Sequence, residues 1–399
     1  MPTQLHYTIA IVGAGSAGLS VAARLLRQSK AFQGSIGIID PQMNHYYQPL
    51  WTLVGGGVVK KETTSRSLQS LIPKGADWIQ EAVAQFQPSE NQIVTAGGTV
   101  IKYDALVVAA GIQVDWDRIK GLKECIGQEG VCSNYDYRYV DSTWESIHQF
   151  RGGNAIFTHP STPIKCGGAP QKIMYLADDA FRQMGVRGKT NIIFASGNAS
   201  IFAVPKYAAA LDRVVERKGI TTKYKMNLIE IRADKREAVF EHVDTKEQET
   251  MKYDMLHVVP PMSAPSFIQN SPLSGPGGWV EVDKHSLQHV RFENVFALGD
   301  CSNLPTSKTG AAIRKQAPVA ARNIINWLAG QPLDASYDGY TSCPLVTGYN
   351  RLILAEFDYQ LTPRETFPFD QSKERYSMYV LKKDLLPKMY WHGMLKGRM

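Results

Sequence analysis

Several protein classes are excluded by what this sequence does not contain. Nowhere do about 18 apolar residues run together, so no helix is expected to span a membrane. The first hydrophobic run, Tyr7 to Val12, is short and leads straight into a glycine motif, which is not the layout of a secretory signal. Cysteine is scarce, with five in 399 residues, too few for a disulfide scaffold. No C-x-x-C pair occurs, which excludes a local dithiol of the thioredoxin-reductase kind. Strong charge of one sign is missing too. Lys and Arg number 44 against 37 Asp and Glu, a net +7. That is mild for a nucleic-acid binder but compatible with an anionic lipid surface. There is no tandem repeat and no low-complexity tract. No metal site and no nucleic-acid partner are expected.

What remains is an ordinary globular composition, 44% hydrophobic and 20% charged, long enough for two or three domains. Strand-like apolar runs alternate with helical patterns, which predicts an α/β fold. Tyr7 to Val12, Ser35 to Asp40 and Tyr103 to Ala110 read as strands of a first unit, residues 1–112, with a helix over Gly18 to Gln28. Trp51 to Gly57 reads as a glycine-rich loop. Residues 113–260 form a second unit, with strands near Asn154, Thr190 and Asp254. Residues 261–334 return to the first unit through Val295 to Leu298. From 335 to 399 the composition shifts to aromatics, prolines and charges.

Gly13-Ala14-Gly15-Ser16-Ala17-Gly18 lies between a strand and a helix, the context a dinucleotide fingerprint requires. Gly13 allows the tight turn, Gly15 lets a pyrophosphate approach the backbone, and Gly18 lets the helix pack on the strand. Asp40 ends the next strand and can accept hydrogen bonds from a ribose. Two later segments point to the nucleotide. Tyr103 to Gly111 resembles the strand that returns beneath the cofactor in flavoproteins with two dinucleotide folds. Asn294 to Asp300 resembles their late motif, in which Asp300 would bind the ribityl chain of FAD. The second unit lacks the matching feature: Ser196-Gly197-Asn198-Ala199-Ser200 offers one glycine where three are expected. NAD(P)H is therefore not the expected reductant.

Two cysteines have unusual settings. Cys166 lies in Lys165-Cys166-Gly167-Gly168-Ala169-Pro170, just before a predicted helix, Gln171 to Met184. A helix N-terminus and an adjacent lysine favour thiolate over thiol. Cys343 lies in Ser342-Cys343-Pro344-Leu345, far away in the C-terminal region. The residues alone leave open whether the two meet. Cys125 and Cys132 read as small buried residues. Cys301 follows Asp300 but has no activating neighbour.

At these residues the sequence resembles the sulfide:quinone oxidoreductases, specifically their mitochondrial-type branch. The resemblance spans nearly the whole chain. It rests on Tyr47 to Gly55, Pro163 to Lys172, Gly299 to Thr309 and Asp338 to Leu345. It implies two Rossmann-like dinucleotide-binding domains and a C-terminal membrane-docking region. It implies FAD, with contacts from Ala14, Gly15, Asp40, Gln48, Val83, Asp300 and Lys308, beside Gly13, Gly18 and Gly111 of the motifs above. It implies a redox disulfide between Cys166 and Cys343, with Lys172 and Lys382 tuning charge nearby. Hydrogen sulfide would attack at Cys343, and Cys166 would leave as thiolate and pass its electron pair to FAD. A membrane quinone would take the electrons, and sulfite, glutathione or another sulfide would take the sulfane sulfur. Homo-oligomer formation stays open.

The mitochondrial branch carries a targeting extension and a longer C-terminal tail, which predicts here a bacterial relative at the cytoplasmic membrane or a mature form at the mitochondrial inner membrane. Tyr376 to Met399 is expected to dock on lipid as two short surface helices broken at Pro387. Its apolar and interfacial set would include Met378, Tyr379, Tyr390, Trp391, Met394 and Leu395. Tyr349 and Phe357 are expected to line the quinone pocket. Two other readings compete: a type-2 NADH:quinone oxidoreductase, and a flavin-containing signalling protein without fast turnover.

Overall fold

The computed structural model describes residues 3–399. Its centre is a seven-stranded sheet built around Gln4–Val12 and Val100–Val108, which pair in parallel. Both strands alternate in exposure at first and are wholly buried over their last four residues. A central parallel strand covered on both faces has this apolar run. Ile36–Ile39 and Ala76–Ile79 extend the sheet on one side. On the other side Val100–Val108 has two partners. Its early half pairs antiparallel with Gln92–Thr95, and its late half pairs in parallel with Val295–Ala297. The late segment of the chain thus returns to the first sheet.

A second, all-parallel sheet of five strands has the order Val131–Cys132, Met255–His257, Gly153–His159, Thr190–Ser196, Thr221–Tyr224. A three-stranded antiparallel sheet, Met226–Arg232 to Gln248–Lys252, flanks it. The helix Ser16–Gln28 packs on Gly310–Leu328 over the first sheet. The hairpin Thr341–Gly348 and Arg351–Phe357 packs on the helix Ala169–Gln183. Among the described residues, no helix is long and apolar enough to cross a membrane.

Two expectations are corrected. The segment from Trp51 is a helix, Trp51–Gly55, and not a loop. A 3₁₀ turn at Gln48–Leu50, with Pro49 in its first turn, leads into it, and Trp51, Thr52, Leu53 and Val54 are all buried. That burial outweighs the two glycines that follow. Pro387 also does not break the C-terminal stretch. Tyr376–Val380 runs through a π-helical turn, Leu381–Leu385, into Leu386–His392. Pro387 lacks the N–H that the α ladder would use, and the wider turn lets the helical path continue with Pro387 in the first turn of the next piece.

Candidate active site

The fingerprint sits at the carboxyl end of Gln4–Val12. Gly13 has φ +102°, and a Cβ there would stand 2.5 Å from the Ala109 carbonyl oxygen. A Cβ at Gly18 would stand 1.9 Å from the Gly13 oxygen, whereas Gly15 has nothing within 4 Å. Two glycines are therefore required by packing, and the third leaves an open approach to backbone N–H groups at a helix N-terminus, a cradle that suits a pyrophosphate. Asp40 Oδ2 accepts from the Ala14 N–H at 2.7 Å and Oδ1 from the Gln42 N–H at 2.8 Å. Burial raises its pKa, and those two bonds oppose the rise. Gln48 is exposed, Val83 is buried at the start of Val83–Gln87, and Gly111 has φ +73° with open space around it.

Asp300 lies in a 3₁₀ turn, Gly299–Cys301, just beyond Val295–Ala297. Its Oδ1 is closed to solvent and has no hydrogen-bond partner. Burial raises its pKa, against the pull of the Lys308 and Lys165 charges. An unpaired buried acceptor of this kind costs about 1–3 kcal/mol, so the site suits a hydroxyl donor such as a ribityl chain. Lys308 Nζ donates to the carbonyls of Asp300 at 2.7 Å and Ser302 at 3.0 Å, and lies 3.8 Å over the Trp279 ring. It braces the turn that presents Asp300.

The cysteines meet at the end of the helix Ala169–Gln183. Cys166 has φ +58°. Its N–H donates to the Lys308 carbonyl at 2.8 Å, and its own carbonyl accepts from the Ala169 N–H at 2.8 Å. These bonds fix a strained turn ahead of the helix and tie it to the Asp300 segment. Cys343 is fully buried mid-strand, opposite Ala355. A Cβ at Gly168 would stand 2.2 Å from Leu345 Cδ2 and 3.6 Å from Cys343 Cβ. The glycine is what lets the helix end approach the hairpin. The adjoining Cys343 side chain holds Cys166 well below the usual thiol range despite burial. Lys172 Nζ donates to the Cys166 sulfur at 3.3 Å, and Lys382 adds positive charge. The same pairing, with burial, pushes Cys343 well above it. The surroundings are thus asymmetric and favour negative charge on Cys166 over Cys343.

Lys382 is buried and donates to the Pro49 carbonyl at 2.9 Å. Burial first, then the Lys172 charge, lower its pKa to about 7. Lys165, lowered to about 8 by burial, lies over the rings of Trp51 and Tyr135. Cys301 is buried and its thiol faces the Val108 carbonyl at 3.4 Å, with its pKa raised to about 11 by burial. Cys125 and Cys132 are buried, and burial raises them to about 11 and about 12.

In the second unit the turn after Thr190–Ser196 is close-packed at its single glycine. A Cβ at Gly197 would stand 2.3 Å from Asn227 Oδ1 and 2.5 Å from the Ser161 nitrogen. Asn227 bonds both the backbone and the hydroxyl of Ser161, and Asn198 bonds the buried His159 at 3.2 Å.

The structure separates other residues that the sequence placed together. Tyr349 follows the end of Thr341–Gly348 and donates to the Gly56 carbonyl at 2.8 Å. Phe357 lies at the opposite end of the hairpin, buried edge-on against Phe202 at 5.8 Å. The two do not line one pocket, because the full length of the hairpin lies between them. In the C-terminal stretch Met378, Tyr379, Tyr390, Trp391, Met394 and Leu395 are buried. They cover the protein's own core and are not free for lipid. Tyr376 and Leu385 remain outside, 64% and 48% exposed. Sequence reasoning missed His45, which contacts Tyr390 and the fingerprint loop. The signal lay in the helical spacing of Tyr390 with Met394 and of Trp391 with Leu395, which marks a buried face.

Compared with known proteins, residues 7–144 match the family model of pyridine nucleotide-disulphide oxidoreductases. The mitochondrial sulfide:quinone oxidoreductase of Dictyostelium discoideum is 52% identical over 98% of this chain and 86% of its own length. That of Mus musculus is 49% identical over 98% of this chain and 87% of its own. A solved sulfide:quinone oxidoreductase from Aquifex aeolicus superposes with a TM-score of 0.84 over 98% of this chain and 92% of that one, at 18% identity, a likeness of fold. With identity near one half along almost its whole length, this chain belongs to the sulfide:quinone oxidoreductase family.

Proposed function

We propose that this protein is an FAD-dependent sulfide:quinone oxidoreductase working through Cys166 and Cys343. The observation that carries the reading is the meeting of two cysteines distant in sequence, with Lys172 donating to the Cys166 sulfur at 3.3 Å and the Cys166 N–H bonded to Lys308 beside the Asp300 segment. In the oxidised enzyme the two sulfurs form a disulfide. Hydrosulfide attacks Cys343 sulfur; an S–S bond forms there, and the Cys166–Cys343 bond breaks with its electron pair on Cys166. A group stabilised as thiolate leaves faster, and the lysines around Cys166 supply that stability. The fingerprint, Asp40 and Asp300 would hold FAD, which would supply the two-electron acceptor between that pair and a quinone. A nucleophilic acceptor, such as sulfite, glutathione or hydrosulfide, takes the outer sulfur from Cys343 and leaves its thiolate, which is free to re-form the disulfide with Cys166 once the pair has passed on. Tyr376, Leu385 and Lys388 stand exposed along the C-terminal stretch and would meet anionic lipid, where the quinone resides. The chain works as a peripheral protein of an energy-transducing membrane.

The single glycine of Ser196-Gly197-Asn198-Ala199-Ser200, where a dinucleotide fingerprint has three, argues against the NADH reading, and the lysine contact on the Cys166 sulfur argues against an inactive flavin carrier. Anaerobic titration distinguishes all three. Sulfide is expected to bleach the flavin absorbance and added quinone to restore it, with NADH inert. Rapid bleaching by NADH, or none by sulfide, would overturn the assignment.

A further inference from the structure

Tyr390 and His45 form a chain of hydrogen bonds whose directions are fixed. His45 Nδ1 lies 3.0 Å from the Ala14 carbonyl oxygen. A carbonyl only accepts, so Nδ1 carries the hydrogen. Burial lowers the pKa of this imidazole to about 4, so it is neutral and Nε2 is a bare acceptor. The Tyr390 hydroxyl, 2.5 Å away, must donate to it. The Tyr390 oxygen can then accept from the Ser16 hydroxyl at 2.6 Å. The chain runs from Ser16 through Tyr390 and His45 to Ala14. It begins and ends on the two residues that flank Gly15, and so closes a ring around the open approach in the fingerprint.

The ring is held from outside as well. Tyr390 packs on Tyr47 at 4.4 Å, and Trp391 lies 4.5 Å from the Arg66 guanidinium. Beyond them Gly397 lies so close to the Ala23 backbone that a Cβ would stand 2.7 Å from it. The C-terminal segment therefore lies along the fingerprint helix. With the Ser16 hydroxyl turned towards Tyr390, the loop offers a phosphate its backbone N–H groups only.

We propose that Tyr390, with His45, is a positioning clasp of the phosphate-binding loop, through which the C-terminal segment sets how tightly the dinucleotide is held. This rests on the FAD reading above. The test is the rate of flavin release from the holoprotein on dilution, followed by the fluorescence of free FAD. Tyr390→Phe keeps the ring and removes only the hydroxyl. It is expected to speed release about tenfold, the effect of losing roughly one well-placed hydrogen bond. Ser16→Ala alone is expected to do the same, and the double variant to be little worse than either single one, because all three break one chain. The melting temperature of the apoprotein is expected to change by less than that of the holoprotein; equal losses in both would reduce Tyr390 to packing and overturn the clasp. Unchanged or slower release in Tyr390→Phe and Ser16→Ala would overturn it as well. Wild-type protein that takes up no FAD would instead overturn the flavin assignment, which keeps the two failures apart.

Discussion

At the scale of single residues the chemistry is a matter of where charge is tolerated. Cys166 is placed where negative charge is favoured despite burial, with Cys343, Lys172 and Lys382 around it. Cys166→Ser and Cys343→Ser are each expected to lose nearly all sulfide-dependent quinone reduction, on the order of a thousandfold, with the double variant no worse, as for groups that act as a unit. Steady-state assays on flavin-replete protein check this. Cys125→Ser, Cys132→Ser and Cys301→Ser are expected to keep turnover. Lys382 bears the complementary cost. Its pKa, about 7, lies below the ordinary 10.5. Between those values the unfolded chain binds more protons than the folded one, so stability rises with pH there. The penalty for burying the ammonium is full below about 7 and gone above 10.5. Lys382→Met is therefore expected to raise the melting temperature relative to wild type at about pH 6 and to lose that advantage by about pH 10. Paired thermal melts measure the difference.

Much at this scale was legible in advance. Gly13, Gly18 and Asp40 are dictated by a local motif, and Cys166 by its neighbours in sequence. The meeting of Cys166 with Cys343 came only from the family resemblance and not from the residues themselves, because it depends on a helix end touching a distant hairpin. Tyr390 was misread because aromatics and lysines compose a lipid-facing stretch and a core-facing one alike. Only the burial face separates the two.

At the scale of elements, glycines decide which surfaces touch. Gly18 holds the first helix against its strand, and an added methyl would meet backbone that cannot yield. Gly18→Ala is expected to be recovered with little bound flavin, read from the flavin-to-protein absorbance ratio. Gly168 plays the same part between Ala169–Gln183 and the hairpin. Gly168→Ala would press on Leu345 beside Cys343, with an overpacking cost of about 1–3 kcal/mol. The expected result is slow bleaching by sulfide with flavin content unchanged, seen in stopped-flow absorbance. The strands of both sheets were readable from apolar runs. The helix at Trp51–Gly55 was not, since the glycines after it outweighed, on paper, a burial that only the folded chain reveals.

For the whole molecule, the C-terminal stretch has a side buried on the core and a side left exposed. Removing it would uncover Trp391, Met394 and Leu395 along with the fingerprint helix, so truncation is a poor test of lipid docking. Tyr376→Ser with Leu385→Ser changes only the exposed side. That pair is expected to cut co-sedimentation with anionic vesicles severalfold and to slow reduction of a long-tailed quinone. Bleaching by sulfide should stay as in wild type. The return of Val295–Ala297 to the late half of Val100–Val108 also sets a timetable for biogenesis. While the chain emerges from the ribosome, Leu106 to Val108 present an unpaired sheet edge until some two hundred residues later. A flavin site that uses Asp300 cannot be completed before that residue has been made, and the proposed clasp waits for Tyr390. Cofactor loading is thus a late event, and a nascent chain stalled in the second unit is the species most in need of a chaperone.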